Sequence, residues 1–339
     1  MTIKDIARLS GCGVATVSRV LNNHPDVSRE TRRRVMAVVD EQGFQPNTNA
    51  KHLKQQAGSS IAIIVKGTQN MLFADLVERI QALLREADRD ASDYYLDEDA
   101  DEVAYALQLC RERKPAGIMF LGGDRKQFRS QFQGITIPCV LLTNIAGDLG
   151  FDNLSSVTTD DREASRQAVR FLASRGHRHI GMLGGNWSCF QIGHSRFLGC
   201  AQACQELGLP FDGERQCEPC RYSLMDGYEA AKRLLGRCPE LTAIFAVSDV
   251  MAMGTVRALQ DLGKRVPEDI SVLGYDGIAL ADYFVPRLAT VRQDTQRMAE
   301  RGVDVLLRNI ERPNRPFHEV VPFQLIPGES VACIPSHDG

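Results

Sequence analysis

Apolar residues recur along this 339-residue chain in two rhythms. Over the first forty positions the rhythm is helical. Ile3, Ile6 and Leu9 share a face beside small Ala7, and Gly11-Cys12-Gly13 interrupts the pattern with residues that tolerate φ > 0. Val14, Val17, Val20 and Leu21 form a second stripe, whose opposite face carries Ala15, Thr16, Ser18, Arg19 and Asn22, all small or able to hydrogen-bond. Ser28 is placed to cap a third helix, 29–42, with Val35, Val38 and Val39 inward and Gly43 as the stop. Two short helices around a glycine break predict a helix-turn-helix, whose second helix enters the major groove of DNA. A helical hairpin capping a larger domain is the plainer alternative. Arg32-Arg33-Arg34 reads equally as a solvated face or as phosphate contacts.

From Ile61 the rhythm changes. Short β-rich runs at 61–65, 93–96, 117–121, 138–142, 156–159, 180–183, 242–247 and 270–274 alternate with amphipathic stretches at 73–90, 101–113, 161–175, 224–235 and 249–262. Repeated β-α units predict parallel sheets covered by helices on both faces. The body is too long for one such sheet, and GIMFLGGD at 117–124 is echoed by IGMLGGN at 180–186, so two α/β lobes are expected. Open α/β sheets bind ligands beyond the carboxyl ends of their strands. That rule collects Asn70, Met71, Leu72, Phe73, Gly122, Gly123, Asp124, Asn144, Asn186, Trp187, Ser188, Ser248, Asp249, Tyr275, Asp276 and Gly277. Aromatics, amides and carboxylates together suit a polar, ring-shaped ligand such as a sugar. Asp249 is read chiefly as the cap of helix 250–262, and Arg196 with Asp276 as ligand contacts or a structural salt bridge. The glycine pairs lack the G-x-G-x-x-G spacing of a dinucleotide site.

The string TIKDIARLSGCGVATVSRVLNNHPDVSRETRRRVMAVVDEQGFQPN resembles the DNA-binding head of the LacI/GalR family of bacterial transcription regulators. NAKHL continues it as that family's hinge helix, and SRGHRHIGMLGG, SRFLGCAQA, DGYEAA, TAIFAVSDVMAMG, VPEDISVLGYDG and LATVRQD follow in the family's order. The resemblance implies a helix-turn-helix head (1–46), a hinge helix (47–57) and a periplasmic-binding-protein-like body of parallel sheets (58–339). Lobe one would comprise about 58–160 and 292–322, and lobe two about 161–291 and 323–339. It implies operator contacts by Thr2, Ala15, Thr16, Ser18, Arg19, Asn22, Ser28, Thr31 and Asn47, with Leu53 wedged into the minor groove beside Ala50. Effector contacts would come from Leu72, Phe73, Asp161, Trp187, Arg196, Tyr222, Ser248 and Asp276. The implied function is a repressor that binds a palindromic operator as a homodimer under a small effector, a sugar before a purine. Lys51-His52 and Asn49 depart from the family's usual hinge, and no leucine heptad follows QLIPGESVACIPS to build a terminal coiled coil.

Charge agrees with that division. Residues 1–57 hold nine Lys/Arg against five acids, a net of +4, whereas the whole chain is −3, leaving −7 on the body. A basic head on an acidic body places nucleic-acid contact at the N-terminus. No apolar run of 18 residues or more occurs and the first helix begins at once, so a cytoplasmic protein without a membrane span is expected. Ten cysteines in that compartment read as reduced thiols. Cys200, Cys204, Cys217 and Cys220 have a spacing reminiscent of a zinc or redox site, but helical core packing explains the first pair, and no metal or cofactor is expected. A transport binding protein would share the body without the head. An enzyme would need a nucleophile with a positioned base, and no such motif is present.

Overall fold

The structure, a computed structural model, describes residues 3–21, 27–42, 60–184, 192–312 and 315–334. Two compact units divide the chain at 57/58.

The first unit contains helices α1 (Ile3–Ser10), α2 (Val14–Leu21) and α3 (Arg29–Glu41). Ile6, Ala7, Val17, Val20, Val35 and Val39 make its core. Two residues of the expected stripes lie outside it, since Leu9 is 50% and Val14 44% exposed. The α1 face that turns inward runs through Ile6, Ala7 and Ser10, one helical step round from the 3-6-9 reading. In α2 the core closes on Val17 and Val20 and leaves the first turn in solvent. Gly11, at φ +63°, makes the turn between the helices, and the amide of Cys12 returns to the carbonyl of Ala7 at 3.0 Å.

The second unit carries two six-stranded sheets. Sheet one uses β1 (Ile61–Lys66), β2 (Ala91–Leu96), β3 (Gly117–Leu121), β4 (Cys139–Leu142), β5 (Leu154–Thr159) and β11 (His318–Val321), in the order β11-β5-β4-β3-β1-β2 and wholly parallel. Sheet two uses β6 (Ile180–Leu183), β7 (Cys217–Glu218), β8 (Ala243–Ala246), β9 (Ser271–Asp276), β10 (Ala289–Gln293) and β12 (Phe323–Ile326), in the order β12-β10-β9-β8-β6-β7. Only β12 runs antiparallel to its neighbour among the described pairings.

Burial on both faces explains why the strands read as unbroken apolar runs. In β1, Ile61, Ile63 and Val65 join one core while Ala62 and Ile64 join the other. The connecting helices are α4 (Met71–Glu86), α5 (Glu102–Glu112), α6 (Arg125–Gln131), α7 (Asp161–Ser174), α8 (Ile192–Glu206), α9 (Gly213–Gln216), α10 (Leu224–Arg237), α11 (Asp249–Asp261), α12 (Ala279–Tyr283) and α13 (Thr295–Glu311). The chain passes between sheets three times, after Thr159, after Gln293 and between Val321 and Phe323.

Candidate functional site: an interlobe cleft and a helix-turn-helix surface

On the head, α2 has Ala15 and Arg19 exposed and Thr16 and Ser18 half-buried. Ser28 caps α3, its Oγ accepting from the amide of Thr31 at 3.2 Å and donating to Thr31 Oγ1 at 2.9 Å. Two proposed DNA contacts thus support each other at a helix start. Thr2, Asn22, Asn47, Ala50 and Leu53 fall outside the described residues.

In the body, the carboxyl ends of the strands of both sheets face one cleft of about 270 Å³. Sheet one supplies Lys66 at the end of β1 with Gly67 to Asn70, Leu72 and Phe73 beyond it, Asp97 and Glu98 after β2, Gly122 and Gly123 after β3, and Thr143 and Asn144 after β4. Sheet two supplies Ile192 and Arg196 from α8, Arg221 to Ser223 and Asp226 beyond β7, and Asp276 at the end of β9. Asn70 caps α4 by accepting from the amide of Leu72 at 3.0 Å, which fixes the turn that carries Leu72 and Phe73 to the wall. Gly122, at φ +73°, lets the Phe73 ring approach, since a Cβ there would sit 2.9 Å from it. Asn144 donates from Nδ2 to the carbonyl of Gly123 at 2.8 Å, tying two of these loops together.

The cations of the cleft are already matched. Lys66 Nζ meets Glu102 Oε2 at 2.5 Å. Arg196, buried on α8, donates from Nε to Asp161 Oδ1 at 2.7 Å and from Nη1 to the carbonyl of Val247 at 2.6 Å. Its guanidinium lies 3.8 Å from the centre of the Tyr275 ring, and the Tyr275 hydroxyl donates to the same Asp161 oxygen at 2.8 Å. Arg221 at the rim bridges to the other lobe, 2.7 Å from Asp97, 3.7 Å from Glu98 and 3.6 Å from Asp99.

Acceptors, by contrast, remain open. Asp276 Oδ2 and the Tyr222 hydroxyl are buried with no hydrogen-bond partner among the described residues, as is Ser248 Oγ. Asp276 Oδ1 accepts from Gln293 Nε2 at 2.9 Å. Burial pushes the Asp276 carboxyl up to about 6, against the pull of Arg196, Gln293 and Ser248, whose hydroxyl lies near enough to favour the carboxylate without completing a well-formed hydrogen bond to it. Burial likewise raises Tyr222 and Glu98. Backbone strain collects at the same place: Asp276 has φ +108° and the β-branched Thr143 φ +67°, both on the cleft wall.

Of the proposed effector residues, the structure brings Leu72, Phe73, Arg196, Tyr222 and Asp276 to the cleft. Asp161 and Ser248 do not line it. Asp161, at the start of α7, stands behind Arg196 and Tyr275 and orients both, while Ser248 is fully enclosed at the start of α11. Arg196 therefore pairs with Asp161, and the salt bridge considered between Arg196 and Asp276 is not formed. Asp249 is no simple cap either: its Oδ2 accepts from the amide of Ile278 at 2.8 Å and its Oδ1 from Thr290 Oγ1 at 2.6 Å, fastening the loop after β9 to β10. Trp187, Asn186 and Ser188 lie outside the described residues. Sequence reading missed Lys66, Glu98 and Arg221: the first two stand at the ends of strands that were read, at 61–65 and 93–96, but were not collected, and β7, only Cys217–Glu218, was too short to be read as a strand.

Cys200, Cys204 and Cys217 are buried, and burial lifts Cys204 to about 11 and Cys217 to about 12, so neither is a thiolate near neutrality. Among the described residues no group of three His, Cys, Asp or Glu is placed to hold a metal ion. No helix among them is long and apolar enough to cross a membrane.

Residues 2–47 match the model of bacterial regulatory proteins of the lacI family, and residues 169–331 that of a periplasmic binding protein-like domain. The HTH-type transcriptional regulator MalR of Clostridium butyricum is 33% identical over 342 residues, covering 97% of this chain and 99% of its own. Two solved structures superimpose over nearly the full length. The transcriptional regulator CelR in complex with cellobiose has 26% identity and TM-score 0.71, covering 97% of this chain and 99% of that one. The lac repressor dimer bound to operator and the anti-inducer ONPF has 22% identity and TM-score 0.76, covering 98% and 99%, a likeness of fold. With the helix-turn-helix, the paired sheets and a full-length relative all in agreement, the chain belongs to the LacI family of bacterial regulatory proteins.

Proposed function

We propose that this regulator is a repressor that binds a palindromic operator as a homodimer and is switched by a sugar-like effector seated in the interlobe cleft. A single recognition helix covers few base pairs, so useful affinity calls for two copies on a symmetric site. The lac repressor dimer on operator supports that arrangement by likeness of fold. A protein working on the chromosome acts in the cytoplasm, and no catalytic role is proposed.

The observation that carries the effector reading is the pair of buried oxygens on Asp276 and Tyr222 that have no partner among the described residues. An unsatisfied buried polar group costs about 1–3 kcal/mol, and a ligand bearing O–H groups would relieve both. Three cations line the cleft, each already bound to a carboxylate. A neutral polyol therefore fits better than an anion, which would have to break an ion pair. The cellobiose complex of CelR accords with this choice. Leu53 is the proposed minor-groove wedge with Ala50 beside it, and Asn47 is a further proposed DNA contact.

A fragment beginning at residue 58 tests the division of labour. It should lose all operator binding yet retain the thermal stabilisation that neutral mono- and disaccharides give the full chain. Operator binding by that fragment would refute the role of the head. In the full chain, operator affinity should fall steeply with salt as counterions return to the phosphates.

A further inference from the structure

The three crossings between sheets meet at one buried point. At its strand end Thr159 pairs with Val321, and Gln293 pairs with Phe323, so the first and third crossings adjoin in sheet one and the second and third in sheet two. One side chain joins the two ladders. Gln293 Oε1 accepts from Thr159 Oγ1 at 2.9 Å, and its Nε2 donates to Asp276 Oδ1, also at 2.9 Å. All three residues are buried, Thr159 and Asp276 at 2% and Gln293 at 3% exposure. The carboxamide thus spends its acceptor on one lobe's last strand residue and a donor on the carboxylate of the cleft.

The surroundings leave that carboxylate little room. Arg292, beside Gln293, is the ladder partner of Asp276. Gly277, at φ +70°, packs against Arg292 so closely that a Cβ would lie 2.5 Å from its side chain. The other charged or titratable groups near Asp276 are Arg196, Asp161, Asp249, Tyr222 and Tyr275. Asp276 Oδ1 is held by Gln293, while Oδ2 is without a partner among the described residues.

We propose that Gln293 is the positioning residue that couples the cleft carboxylate to the crossing strands: a change at Asp276 moves the carboxamide, and the carboxamide moves the first crossing at Thr159. The chemistry suits this use. Glutamine presents a donor and an acceptor on one rigid plane, so it cannot turn toward one partner without disturbing the other. Buried polar groups tied in this way hold two discrete arrangements better than a continuum, as a switch requires. The inference rests on the effector reading only for its purpose, since the coupling itself needs no ligand.

Hydrogen exchange of the full chain, read by mass spectrometry on peptides covering 157–163 and 290–297, tests it directly. Asp276→Asn should change exchange in the first crossing at least threefold while Gln293 is present. In a Gln293→Met background the same substitution should change it less than 1.5-fold. Polarity reversal supplies a second arm that does not depend on the methionine variant folding well. Gln293→Glu sets two carboxylates together and should accelerate exchange at both crossings. Combining it with Asp276→Asn restores a donor–acceptor pair of opposite sense and should return exchange to within twofold of the native chain. A first crossing indifferent to Asp276→Asn, an equal response without Gln293, or no recovery in the reversed pair would each overturn the proposal. None of these results touches the effector reading, which fails separately if no saccharide stabilises the native chain.

Discussion

The two walls of the cleft are built on the same β-α plan but are finished differently. Sheet one contributes Leu72, Phe73 and the backbone of Gly122 and Gly123, and its buried charge, Lys66, is closed off by Glu102 at 2.5 Å. Sheet two contributes Arg196, Tyr222 and Asp276, and there two buried oxygens stand without partners among the described residues. One wall offers shape and an apolar surface, while the other offers unfilled hydrogen-bonding capacity. A ligand that bridges them gains from contacts with both walls only when the lobes are close, which is the physical condition for coupling occupancy to lobe geometry.

The sharpest way to break this contrast is Arg196→Ala. On the sheet-two wall the arginine holds Asp161, which is buried with it, so removal leaves an uncompensated charge and should cost about 3–5 kcal/mol. Urea unfolding measures this, and a loss below about 1 kcal/mol would show the pair to be dispensable. Ligand affinity should fall too, but stability should fall first.

Asp276→Asn should act in the opposite direction on stability. The folded carboxyl is raised from 3.8 to about 6, so the native state holds its proton longer than the unfolded chain. Stability is therefore lost as pH rises from about 4 to about 6, and the penalty persists above that. Removing the charge should stabilise the ligand-free chain by about 1–3 kcal/mol at pH 7.5, with the advantage fading below pH 4. The same variant should bind saccharide at least tenfold more weakly, about 1.4 kcal/mol. Melting curves across pH with ligand titrations check both halves, and a destabilised variant with intact affinity would make Asp276 structural.

The smallest effect belongs to Arg221→Ala. Its bridges to Asp97, Glu98 and Asp99 cross the cleft, yet Arg221 is 47% and Asp97 64% exposed. Exposed pairs contribute about 0–1 kcal/mol, so ligand-free stability should barely move at moderate salt. A larger loss, insensitive to salt, would make the rim bridge a main tie between the walls.

The same contrast separates what the sequence made legible from what it hid. Strands buried on both faces, such as Ile61–Lys66 and Gly117–Leu121, read directly as apolar runs, and most helices between them as amphipathic stretches. The strands at the second and third crossings did not. Ala289–Gln293 carries Arg292 and Gln293, and His318–Val321 alternates exposed and covered residues, so short length and polar content masked both. At the cleft, Arg196, Tyr222 and Asp276 were legible because they follow strands or match family motifs. That Asp161 orients Arg196 rather than facing ligand was not legible, because a carboxylate leaves no mark in sequence of which way it points. Nor could sequence reveal the positive φ of Thr143 and Asp276, since threonine and aspartate ordinarily adopt other conformations.

The central claim is that occupancy of the cleft controls the grip of the head on DNA. The most direct measurement selects an operator from random duplexes with the full chain, then determines its Kd with and without the saccharide that most raises Tm. The operator Kd should change at least fivefold in either direction for the native chain, a coupling of about 1 kcal/mol, and should not change for Asp276→Asn at the same saccharide concentration. An operator Kd unmoved by a saccharide that demonstrably binds the native chain would contradict it.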